Sequence, residues 1–241
     1  MKQILLFAVI ALTGLTSCND IFSKPVRGNG HIITETRTPG AFKNVSVSGN
    51  INIYVTQDSV PGVKVVADEN LMKYIAITSD GNTLEVHPRD NYNLHASNEA
   101  IKVFVSGKDF SHFSASGACD IFSTNQVQST GTISYDLSGA CDVTMDVQAP
   151  KVEAEMSGAG SIKLKGSTRD FKVSGSGSTD VKCYDLLAEN TTIEISGAGD
   201  AQVFASVKLD VHVSGAGTVK YKGNATVSQE VSGAGSVKKV E

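Results

Sequence analysis

Tryptophan is absent and aromatic residues make up only 6% of the 241-residue chain, so any core must be built mainly from Val, Ile, Leu and Ala. Proline occurs 5 times against 23 glycines, with no Gly-X-Y period, which excludes a collagen-like chain. Charged residues reach 19%, below the usual share of about 25%. The basic ones are scattered, the net charge is −4 and the pI is near 5.7, which argues against nucleic acid as a partner. Arginine is scarce: Arg27, Arg37, Arg89 and Arg169 lie far apart. None of His31, His87, His95, His112 and His212 has a second His or a Cys at ligand spacing, so no metal centre or cofactor is implied. No Gly-x-Ser-x-Gly elbow stands in strand-turn-helix context, and no Gly-x-Gly loop leads into a helix that could hold a phosphate. An enzyme is therefore not the leading expectation.

The single compact apolar run is Ile4 to Leu12, behind the positive Lys2. It falls well short of the roughly 20 apolar residues a bilayer span needs. It leads into Leu15-Thr16-Ser17-Cys18, which is similar to a bacterial lipobox. That resemblance implies removal of residues 1–17 as a signal peptide and a diacylglycerol on the thiol of Cys18. Acyl chains add about 0.8 kcal/mol per buried CH₂, so the several chains of a lipoprotein cysteine anchor stably. Residues 18–27 then read as a lipid-anchored tether. The expected partner is a membrane, and the expected place is the outer membrane, facing the periplasm or the cell surface.

Self-similarity dominates the rest. Ser116-Gly117-Ala118-Cys119-Asp120 is echoed by Ser138-Gly139-Ala140-Cys141-Asp142. The unit continues as Ser157-Gly158-Ala159-Gly160, Ser174-Gly175-Ser176-Gly177 and Ser196-Gly197-Ala198-Gly199, then Ser214-Gly215-Ala216-Gly217 and Ser232-Gly233-Ala234-Gly235. On this alignment the serines fall at intervals of 22, 19, 17, 22, 18 and 18. Ser48-Gly49-Asn50-Ile51 is a partial eighth copy. The flanks alternate apolar and charged, as in Leu209-Asp210-Val211-His212-Val213, and period two means half-buried strands. A short repeat of two strands cannot bury its apolar face alone, whereas stacked copies can. Residues 116–241 are therefore expected to form a single-stranded β-helix, each coil adding about 4.8 Å. Whether a motif marks a whole coil or half of one is open at this point.

Residues 28–115 read as an irregular β region, either a distinct domain or the first coils and cap of the solenoid. Phe42 to Val55 alternates throughout, and Asp80-Gly81-Asn82 suits a hairpin turn. Leu71 to Ile75 allows one short helical turn, and the polar stretch Asp90 to Asn98 reads as a loop.

The lipobox, Val47-Ser48-Gly49-Asn50-Ile51-Asn52-Ile53 and the repeated Ser-Gly-Ala-Gly units together resemble the head GIN domain family of auto-transporter adhesins of Bacteroidetes. The likeness runs from about Gly28 to the C-terminus. It implies a right-handed, pectin-lyase-like β-helix without a catalytic set, and a role in cell adhesion. Cys119 and Cys141 depart from it, standing where later repeats have Gly.

Cys119 and Cys141 share one motif position in successive repeats. In-register stacking would bring their Cα atoms into the 4.4–6.8 Å range of a disulfide. They are expected to be a disulfide or stacked buried thiols, with a redox or metal pair as the sharper alternative. Asp120, Asp142 and Asp200 follow the fourth motif position and could face a cation or ligand, although turn aspartates commonly bond their own backbone. Cys183 alternates with Val181 and should point inward. Lys163, Lys165, Lys172, Lys182, Lys220 and Lys222, interleaved with Glu153, Glu155 and Glu194, could form ladders that attract acidic glycans or merely confer solubility. Three functions remain: an adhesin binding a host or matrix glycan or protein, a polysaccharide-active β-helix enzyme, and a structural envelope protein without ligand. Exposed edges near residues 237–240 would permit a homo-oligomer.

Overall fold

The computed structural model describes residues 23–97 and 100–241. Cys18 and the leader lie outside the described residues. The repeat is a β-solenoid of about 6 turns. Its strands are long because they bend rather than stop. Asp142–Cys183 is continuous strand, 42 residues that would reach roughly 140 Å if straight. The chain instead turns at each Ser-Gly unit and pairs with its own previous coil.

The register identifies the corners. Ser48-Gly49 lies beside Ser116-Gly117, and Ser116-Gly117 beside Ser138-Gly139. Next come Ser157-Gly158, then Ser176-Gly177, Ser196-Gly197, Ser214-Gly215 and Ser232-Gly233. All pairings are parallel and in register, so one motif marks one whole coil. The expected copy at Ser174 is corrected: the corner there is Ser176-Gly177-Ser178-Thr179, which restores intervals of 19 and 20 on either side. Gly175 is instead an inward residue beside Ile195. A Cβ on Gly175 would come within 2.5 Å of Thr179 Oγ1, so the missing side chain makes room for Thr179.

Glycine is required twice over at the corners. Gly117, Gly139, Gly158 and Gly177 hold φ of 101°, 88°, 108° and 100°, a region closed to most side chains. A Cβ on Gly139, Gly158 or Gly177 would also lie 2.5 Å from the carbonyl oxygen of the corner glycine one coil earlier.

Inward columns of Val, Ile, Leu and Ala fill the interior. Near its N-terminal end the core is aromatic: Phe113 stacks between Phe110 and Tyr135, at 5.7 and 5.5 Å. Beyond Tyr135 the same column narrows to Ala154. Cys183 is fully buried, as its alternation with Val181 predicts.

Apart from Lys24–Arg27 and Tyr92–His95, which form a two-stranded sheet of their own, the N-terminal strands belong to the same 15-stranded sheet. Thr83–Pro88 and Ile101–Gly107 lie parallel on the outside of the Ser48 coil and form an outer half-coil. Antiparallel strands then close this end: Ile75–Ser79 on Thr83–Pro88, Gly62–Asp68 on Ile101–Gly107, and Ile32–Arg37 on Gly62–Asp68. Such a cover satisfies edge groups that stacked coils would leave open. The hairpin at Asp80-Gly81-Asn82 and a 3-10 turn at Met72–Tyr74 occur where the sequence predicts them. The expected loop 90–98 is corrected in part: Tyr92–His95 is a strand, paired parallel with Lys24–Arg27. Asp68 ties this cap together. It is fully buried and accepts bonds from Gly30 N, Ser97 N and Ser97 Oγ at 2.7, 3.1 and 2.6 Å. Burial would raise its pKa, but these donors, Ser97 first, hold it below the ordinary carboxylate value.

Candidate functional site

Regular stacking turns each outward position of the repeat into a column along the solenoid. On the strand leaving the corner, the first outward column carries Asn52, Asp120 and Asp142, then Ser161, Asp180 and Asp200. The structure brings Asp120 and Asp142 side by side but pairs Asp200 with Asp180, which the sequence reading did not single out. Asp120, Asp142 and Asp200 also brace neighbouring coils, whereas Asp180 faces Lys182 of its own strand. Asp120 accepts from Asn52 Nδ2 at 3.2 Å, Asp142 from Ser161 N and Oγ at 2.8 and 2.7 Å, and Asp200 from Thr218 N at 3.0 Å. Burial first, and the Asp142 charge second, raise the pKa of Asp120. Among the described residues, no group of three or more His, Cys, Asp or Glu side chains could hold a metal ion.

Just inside this column sit Cys119 and Cys141, buried, with Sγ atoms 3.2 Å apart. Both are free thiols. Their position in the later coils is occupied by Gly160, Thr179 and Gly199, so no further thiol stacks on them.

The next outward column begins with Phe104, Tyr54 and Phe122, stacked face to face at 4.9 and 5.2 Å, with the Lys64 ammonium 4.5 Å over Phe104. The rings spend their faces on one another, so this ladder seals the junction between cap and coils. The sequence reading missed it, although Tyr54 and Phe122 stand at the same distance after their Ser-Gly units. Further along, Lys182, Gln202, Lys220 and Lys238 share this column.

The expected interleaving of lysines with glutamates is corrected in part: of the six lysines, Lys172 meets a glutamate, Glu194. Glu153, Glu155, Glu194 and Lys172 lie on the strand entering the corner, the opposite face of the coil. There the solenoid carries a groove of about 820 Å³ along the axis. One wall is a column of hydroxyls: Ser138, Ser157, Ser176, Ser196, Ser214 and Ser232. The other carries Asp136, Glu155, Ser174, Glu194, His212 and Glu230. Leu137, Met156, Ile195 and Val213 form the floor, interrupted by Gly175. Glu194 pairs with Lys172 at 3.1 Å, while Asp136 and Glu230 face His112 and His212 at 3.6 and 3.4 Å, contacts that become charge pairs only when those imidazoles are protonated. The bonds from Lys172 and then Ser174 Oγ hold the Glu194 pKa below its ordinary value. Glu155 makes no ion pair among the described residues. The result is a row of hydrogen-bonding groups repeating at the strand spacing, acidic on one wall wherever the facing histidines are neutral.

The arginines do not converge on the groove. Arg37 donates to Ile75 O and Met72 O, and Arg89 to Lys73 O, all within the cap, while Arg169 pairs with Asp170.

A family model described as "Putative auto-transporter adhesin, head GIN domain" matches residues 41–225. No curated protein matches the chain. Among solved structures, a putative adhesin from Bacteroides fragilis is 21% identical with a TM-score of 0.84, over 89% of this chain and 100% of that one. A putative lipid binding protein from Parabacteroides distasonis is 21% identical with a TM-score of 0.69, over 90% and 100%. A putative adhesin from Parabacteroides merdae is 21% identical with a TM-score of 0.65, over 91% and 100%. At these identities the likeness concerns the fold.

Proposed function

The chain belongs to the head GIN domain family of putative auto-transporter adhesins, and from that premise we propose that it is an envelope lipoprotein that adheres by binding an extended, largely uncharged glycan. In this reading Cys18 carries the lipid, the outer membrane is the anchor, and the solenoid is a rigid arm. The observation that carries the reading is the groove on the entering-strand face. Its corner hydroxyls recur once per coil, with a carboxylate opposite in four of the six coils, so a chain of sugars can repeat similar hydrogen bonds along it. Each contact is weak, and several in series give avidity. The unbroken column of corner hydroxyls, and the Lys172 ammonium that offsets Glu194 beside it, support a polyhydroxyl ligand.

The test is retention on a glycan array and on cells. Glu155→Lys, an exposed change in the middle of the groove, is expected to lower retention at least tenfold, whereas Lys220→Glu on the opposite face leaves it unchanged. Equal retention of both variants, or none by the parent, would overturn the reading. Cys18→Ser is expected to release the protein from the membrane fraction. A catalytic β-helix predicts a different result: unsaturated or shortened products after incubation with a polyuronate panel.

A further inference from the structure

We propose that Cys119 and Cys141 are an oxidation site, closing a disulfide between the first two repeat coils. The two residues immediately precede the register pair Asp120 and Asp142, and Asp142 N donates to Cys119 O at 3.2 Å. Adjacent strands place such neighbours about 4.8 Å apart, inside the Cα range of a disulfide. The sulfurs already face each other at 3.2 Å, so bonding at about 2.05 Å needs only side-chain rotation. Room for that rotation exists next door, where Gly160 has no side chain and a small void of about 10 Å³ lies between Cys141 and Thr179. Cys183 has no such partner: it is fully buried, and its Sγ reaches only Ile162 O at 3.7 Å.

The chemistry balances with a small organic disulfide as oxidant. One cysteine, as thiolate, attacks the reagent's sulfur, forming a mixed disulfide and releasing one small thiol. The second cysteine loses its proton and attacks the protein sulfur of that mixed disulfide, releasing the other small thiol. Two electrons pass to the reagent, and the two protons end on its thiols. Access comes through the corners Gly117-Ala118 and Gly139-Ala140, which are exposed. The product would staple the coil on which the Ser48 corner stacks to the coil beyond it. In the cell this rests on export, the part of the preceding reading that brings the chain into an oxidising compartment. The test in solution does not depend on export or on glycan binding.

The full chain is exposed to oxidised glutathione, denatured, alkylated and digested with trypsin. Residues 109–151 contain no internal Lys or Arg, so both cysteines fall in one peptide. That peptide is expected to be unalkylated and two hydrogens lighter than its reduced form, while the Cys183 peptide is fully alkylated. The oxidised chain should also unfold at higher denaturant concentration, a shift that dithiothreitol abolishes. In Cys119→Ser, Cys141 should become alkylated or carry a lasting glutathione adduct, and the shift should vanish. Two alkyl groups on peptide 109–151 after oxidation, a stable glutathione adduct in the parent, or a Cys141 in Cys119→Ser that carries neither an alkyl group nor glutathione would overturn the proposal. If the variant does not fold, the mass of the parent peptide still decides.

Discussion

The cap and the repeat coils use the same sheet but obey different constraints. In the coils each residue meets its counterpart one turn earlier, so every position is constrained by a column of equivalents. In the cap, antiparallel strands and a buried carboxylate do the joining, and each contact is made once. Gly81 and Gly177 make the difference concrete. Their φ values are similar, 90° and 100°. A Cβ placed on Gly81 would have nothing within 4 Å, whereas on Gly177 it would meet Gly158 O at 2.5 Å. The cap glycine answers only to its own turn, and the coil glycine also answers to its neighbour.

The largest effect should come from breaking that neighbour contact. Gly177→Ala is expected to cost more than about 4 kcal/mol, since it adds a backbone clash to the strain of a left-handed Ala. Gly81→Ala should cost about 1 kcal/mol, the strain alone. Denaturant unfolding of both variants measures the difference, and equal costs would mean that stacking does not govern the corners. Next in size is Asp68→Ala, which strips the partners from Gly30 N and Ser97 and should cost roughly 3 kcal/mol. Hydrogen exchange should rise at cap amides while those of residues 190–222 stay protected.

Acid should separate the two regions further. The Asp68 pKa is lowered in the folded protein, so its stabilisation is complete above the ordinary Asp value of about 3.9 and is lost as pH falls through the lower, folded value. Asp120 has the opposite sign: its raised pKa penalises the folded corner at high pH, and the penalty is relieved as pH falls through that value. On acidification the cap should therefore open while the Asp120 corner does not, which exchange measured across pH will show. Tyr54→Ala, in the middle of the ring stack that joins the regions, should cost about 1–2 kcal/mol in denaturant unfolding. Smallest is Lys172→Ala, whose exposed pairing with Glu194 should be worth less than about 1 kcal/mol in the same measurement and should fade with salt.

Much of the coil architecture is legible in the residues. Alternation gives strands, and recurring Ser-Gly units give corners. The slip at Ser174 has a physical origin: two Ser-Gly pairs stand in tandem, and only contact with Gly158 and Gly197 selects the second as the corner. The cap was less readable because its pairing partners are unique. Tyr92–His95 is a strand by virtue of Lys24–Arg27, far away in sequence and without any repeat to announce it. The groove was invisible for a related reason. Serines and glutamates two residues apart look like ordinary polar alternation until stacking aligns them into facing walls.

Local pattern alone determined the strands, the glycine corners and the inward position of residues such as Cys183, because pleat and positive φ are properties of a few consecutive residues. Tertiary structure decided the rest: which tandem Ser-Gly turns, which charges share a face, and which two sulfurs meet. Those outcomes depend on the offset between successive coils, and coil length varies from 18 to 22 residues, the longest coil gaining two of its extra residues at the bulge between Phe122 and Gln126.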